Sequence, residues 1–188
     1  MKPSSVKIDW KSILYDSSTE CIEHAVKLVS LNNKLIDDLL ELSFKQETKT
    51  DHRASRVLCF SLIRNQEKYL NEIELVLDKL ESIKHESIKF NFLKIFTEID
   101  LTLIKSRLWL LTRICFNSLT TKVTRVAIQN YAMEILYRIF RLYPELKYEL
   151  ASVIMPFTQY DQASTRATSK RIMKELMEHS DIDLSEIG

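Results

Sequence analysis

Glycine is nearly absent: the single one in 188 residues is Gly188, the last. Loops that cradle phosphate and dinucleotide fingerprints need glycine so that backbone can approach the ligand, so both are excluded. Tight hairpins and turns at positive φ are disfavoured for a related steric reason. Proline is almost as scarce, with Pro3, Pro144 and Pro156 alone. The cysteines Cys21, Cys59 and Cys115 are widely separated and form no CxxC pair. They read as small core residues of a reduced, cytoplasmic protein. Long apolar runs are also missing, and Met1-Lys2-Pro3-Ser4-Ser5 leads into no apolar stretch, so no membrane contact is expected. A net charge of +1 argues against a strongly phosphate-seeking chain.

What is present is helical periodicity. A hydrophobic share of 45% beside 28% charged residues suits a folded domain. Apolar residues at i, i+4, i+7, i+8 and i+11 recur in four places: Tyr69-Ile73-Val76-Leu77-Leu80, Ile88-Phe92-Ile95-Phe96-Ile99, Ile128-Ala132-Ile135-Leu136-Ile139 and Leu146-Leu150-Val153-Ile154-Phe157. Such a stripe is the buried side of an amphipathic helix, and no strand produces it. Weaker stripes hold Leu35-Leu39-Leu42, Ala54-Leu58-Leu62, Ile104-Leu108-Leu111-Cys115 and Ile172 with Leu176. The third of these helices, about 102–118, carries apolar residues on most sides and is expected to be the most buried, with Trp109 inside it; an exposed Trp109, flanked by Arg107 and Arg113, would instead offer a base-stacking or cation–π site.

Breaks near Lys49, Gln66, Lys84, Asp100, Thr121, Pro144 and Tyr160 pair the helices as about 32–47 with 52–65, 67–83 with 85–99, 102–118 with 122–142, and 145–158 with 161–178. Pro144 suits the first turn of a helix, and Pro156 should end or kink the one it follows. Residues 1–31 read as an N-terminal helical lead-in in which Trp10, Ile13 and Leu14 dock and Ile22, Ala25, Val26 and Val29 form a stripe. Residues 179–188 read as a tail.

The second helix of each pair has a basic residue near its start, Arg56, Lys89, Arg125 and Arg166, at intervals of 33, 36 and 41 residues. Asp51 and Asp161 each precede one of them by five positions. In these features, and in the stretch K-V-T-R-V-A-I-Q-N-Y-A-M-E-I-L-Y-R-I-F-R-L-Y-P from Lys122 to Pro144, the chain resembles the HEAT (ARM/HEAT superhelical) helical-repeat family over residues 32–178. The resemblance implies an all-α, right-handed α-solenoid of about four antiparallel helix pairs, with the N-terminal helices as an extension.

Catalytic signatures are missing. His24, His52, His85 and His179 have no histidine at i+4 and no Glu-x-x-His spacing, no serine sits in a G-x-S-x-G turn, and neighbouring acids such as Asp37 and Asp38 read as solvated charge. No enzyme activity, metal or cofactor is expected. The charge distribution says more: the four second helices hold thirteen Lys or Arg against six Asp or Glu, and the remainder fourteen against twenty. In HEAT-like stacks the second helices line the concave face, so the resemblance implies a basic groove built from Arg53, Arg56, Lys89, Arg125, Arg138, Arg141, Arg166 and Lys170. The expected function is a scaffold that binds an acidic protein there. The competing readings are a nucleic-acid-binding relative of the HEAT-like DNA glycosylases, a plain helical protein without groove function, or arginines that only serve internal ion pairs. Against the glycosylase reading, Leu101 to Met133 contains no acid.

Overall fold

A computed structural model describes residues 8–121 and 125–178. The described residues are helical or in turns, without a strand. The helices are α1 (Trp10–Ile13), α2 (Thr19–Leu31), α3 (Leu35–Lys45), α4 (Lys49–Arg64), α5 (Leu70–Lys79), α6 (Glu86–Glu98), α7 (Leu108–Thr120), α8 (Val126–Phe140), α9 (Lys147–Ile154) and α10 (Ala163–Glu178). Short 3-10 turns occupy Leu80–Ser82, Leu101–Arg107, Pro144–Leu146 and Met155–Gln159. The chain divides into two compact units, Met1–Ile95 and Phe96–Gly188.

In the first unit α4 packs along α3 and α2. The buried stripe of α2 is Cys21, Ile22, Ala25, Val26 and Val29, and Ser18 caps the helix by accepting from Cys21 N. Thr48 and Asp51 form a reciprocal capping box at the start of α4. Without glycine, the left-handed position that ends α3 falls to Gln46, at φ 59°. That conformation is costly for a residue with a Cβ, and the side chain compensates: Oε1 accepts from Lys84 N at 2.8 Å and His85 N at 3.1 Å, anchoring the turn before α6.

In the second unit α7 packs along α8, and α10 packs against α8 and α9. Ile128, Ala132, Ile135, Leu136 and Ile139 of α8 are all buried, as the stripe requires. Pro144 opens its 3-10 turn, and α9 stops at Ile154, before Pro156.

Two expectations fail around residues 102–118. The segment is not one helix, because Leu101–Arg107 is 3-10 with a non-helical kink at Ile104 (φ −113°, ψ 29°) and the α-helix starts only at Leu108. It is not the most buried helix either: α8 buries nine residues and α7 seven. Trp109, expected inside, adds to the difference, being 61% exposed. Its neighbours Leu108 and Leu110 turn inward, and the indole lies outside the stripe under the guanidinium of Arg113, 5.4 Å from the ring centre. Of the helix expected over 122–142, residues 122–124 lie outside the described residues, as do the tail 179–188 and the first seven residues of the lead-in.

Candidate binding surface

Arg53, Arg56 and Lys89 lie in the first unit, and Arg125, Arg138, Arg141, Arg166 and Lys170 in the second. Arg53 extends from α4 to the turn between α1 and α2, where Nη1 donates to Leu14 O at 2.7 Å and Tyr15 O at 2.8 Å and Nε to Ser17 Oγ at 3.2 Å. One turn further along α4, Arg56 Nη1 donates to Ser17 O at 2.9 Å. These bonds satisfy carbonyls that flank short helices and have no helical partner. Lys89, on α6, is half-buried.

In the second unit Arg138 does the same for the end of α6. Its Nη1 donates to Phe96 O and its Nη2 to Ile99 O, both at 2.7 Å. Burial pulls its pKa down, with Glu98 and Asp100 pulling the other way. Arg141, three residues on and exposed, shares with it a shallow recess of about 240 Å³ lined by Asp100, Leu101, Arg138, Arg141 and Leu142. Asp100 Oδ1 accepts from Thr102 N and Oγ1, chiefly the backbone bond, and its carboxyl is held below the usual range. Arg166 Nη1 donates to the carbonyls of Tyr160 at 2.7 Å and Asp161 at 3.2 Å. Arg125 and Lys170 are exposed.

Of the expected cations, Arg53, Arg56, Arg138 and Arg166 thus bond to backbone carbonyls. The aspartates that precede two of them are not ion-paired to them in these bonds: Asp51 closes its capping box, and Arg166 takes the carbonyl of Asp161. Bonds that join successive second helices, or α2 and α4, span similar sequence distances. Arg64 to Glu23 spans 41 residues, Asn91 to Ser55 36, Arg138 to Ile99 39 and Arg171 to Glu134 37.

Sequence reasoning missed two features. Arg171, beside the expected Lys170, pairs with Glu134 and Glu175 and covers Tyr137, whose hydroxyl donates to Glu175. In the first unit, a cleft of about 500 Å³ is lined by five acids, Asp9, Asp38, Glu41, Glu47 and Asp51, and two lysines, Lys11 and Lys45, with Trp10 and Leu42 among its apolar walls. The only signal for it was the Asp37–Asp38 pair, read as solvated; Asp38 Oδ2 in fact accepts from Trp10 Nε1 at 3.4 Å. Among the described residues no His, Cys, Asp or Glu cluster is arranged to hold a metal ion, and no helix is long and apolar enough to cross a membrane.

Comparison with known proteins returns no matching curated protein and no matching solved structure. A family model described as a HEAT repeat domain matches residues 11–176. With paired helices, inter-helix bonds at a recurring spacing and a family match over most of its length, the chain belongs to the HEAT repeat domain family.

Proposed function

We propose that this protein is a non-enzymatic scaffold whose second helices hold an acidic partner protein through cations that include Arg138, Arg141 and Lys170. Helical repeats suit this role because stacked hairpins offer extended surface without pocket chemistry. The observation that carries the reading is the pairing of Arg138 with Arg141. Two carbonyls already orient the first guanidinium, so little freedom is lost when an anion meets it, while the second is exposed beside it. The recess of about 240 Å³ is smaller than the roughly 300–1,000 Å³ of small-molecule sites, and it suits one or two side chains of a larger partner. Cations clustered there would steer acidic surfaces and raise association rates at low salt.

The test is a pull-down from native extract, with and without nuclease, comparing the natural chain with an Arg141→Glu, Lys170→Glu variant. A defined protein retained after nuclease and lost by the variant, with unchanged circular dichroism, supports the reading. A partner lost on nuclease treatment would move the function to nucleic acid.

A further inference from the structure

The outward side of α7 carries an exposed tryptophan beside cations. Trp109 and Arg113 stand four residues apart on α7, which makes them neighbours, and Lys105 lies in the 3-10 turn that leads into the helix. All three are exposed, and Arg113 lies over the indole. Between Leu101 and Met133 the sequence holds five cations, Lys105, Arg107, Arg113, Lys122 and Arg125, and no Asp or Glu, in a chain whose net charge is +1. A tryptophan left 61% exposed keeps a large apolar area in water. Tryptophan and arginine are also the side chains most enriched among residues that dominate binding energy at protein interfaces.

We propose that the Lys105–Trp109–Arg113 face is a docking site for an extended acidic protein segment, in which an apolar side chain packs on the indole and flanking carboxylates meet the cations. This face uses none of Arg138, Arg141 or Lys170, the cations named for the proposed function. Charge complementarity selects the occupant: with no carboxylate of its own between Leu101 and Met133, the segment offers nothing to a basic partner, and the same face of a second copy would set cation against cation. Single-stranded nucleic acid is a poorer fit. Stacking successive bases takes a series of aromatic platforms along a basic groove, whereas Phe116 on this helix is half-buried and Trp109 stands as the one exposed ring among the described residues of α7.

The experiment pans a library of random short peptides displayed on phage against the full chain at physiological ionic strength. Synthetic versions of those recovered are then titrated by tryptophan fluorescence. Trp109 is exposed and Trp10 buried, so the long-wavelength emission reports the site. The proposal expects peptides with Asp or Glu around an aliphatic or aromatic residue and a blue shift on binding. It also expects affinity at least about tenfold weaker for Trp109→Ala and for Arg113→Glu. Arg141→Glu should leave this binding unchanged; peptides lost with Arg141→Glu but not with Trp109→Ala would support the second-helix site and overturn this one. It is equally overturned if no peptide or no acidic peptide is recovered, if oligouridylate binds the face more tightly than the peptides, or if Trp109→Ala abolishes self-association of the chain.

Discussion

Arg138 Nη2 donates to the carbonyl of Ile99 at 2.7 Å across 39 residues of sequence, while Nη1 holds Phe96 O. A planar fork fits two neighbouring carbonyls where a single ammonium does not. Arg138→Ala should therefore cost about 1–3 kcal/mol in urea melts, the range for leaving half-buried polar groups unpartnered, and Arg138→Lys should recover only part. A melt unchanged by the alanine substitution would mean that the two bonds contribute nothing to folding.

Leu111 and Trp109 lie two residues apart with opposite surroundings, the first fully buried and the second largely in water. Leu111→Ala should cost about 2–5 kcal/mol. Trp109→Ala removes a larger side chain yet should stay within about 1 kcal/mol, since it gives up mainly the contact with Arg113. The exposed Lys79→Ala should change stability by less than about 0.5 kcal/mol. Equal losses at 111 and 109 would contradict the orientation of α7.

Asp51 is 3% exposed, and Oδ2 accepts from Glu47 N at 3.0 Å and Thr48 N at 2.9 Å. Replacing it with alanine removes its half of the capping box and leaves those two amides open, while Thr48 Oγ1 still accepts from the backbone N of residue 51, so Asp51→Ala should cost about 1–3 kcal/mol. Asp51→Asn, which keeps an acceptor oxygen, should cost less, and thermal melts of the two variants would show the ranking.

His52 lies beside His85, with ring centres 5.5 Å apart and planes tilted by 30°. Burial first, then His85, Arg53 and Arg56, lower its pKa from 6.5. The unfolded chain thus takes up a proton more readily than the folded one, and stability should fall as pH drops below about 6.5 toward the depressed folded value. His52→Gln should flatten that part of the curve of melting temperature against pH. A natural chain and variant with parallel profiles between about pH 7 and 5 would remove His52 as the cause.

The stripes on α2, α5, α6 and α8 could be read in advance because a helix turns by a constant angle per residue, and a buried side has the same spacing wherever it packs. Trp109 could not, because the segment of 102–118 is apolar on most sides and periodicity then leaves its open side undecided. Only the packing of α7 along α8, which leaves Leu108, Leu111, Ile114 and Cys115 buried, turns the indole outward.

The near absence of glycine by itself ruled out phosphate loops and disfavoured tight hairpins, since those are limits on single residues. It did not foretell that Gln46 would take the left-handed position, because the bonds that hold it there come from Lys84 and His85, 38 and 39 residues away. The recurrence of cations on the second helices was likewise visible in the sequence, although α4 begins at Lys49 and Arg56 therefore falls in its middle, not near its start. Whether a guanidinium faces solvent, as at Arg141, or backbone carbonyls, as at Arg53 and Arg138, was decided by which unpaired carbonyls the packing of neighbouring helices brought within reach, and that distance is a property of tertiary structure alone.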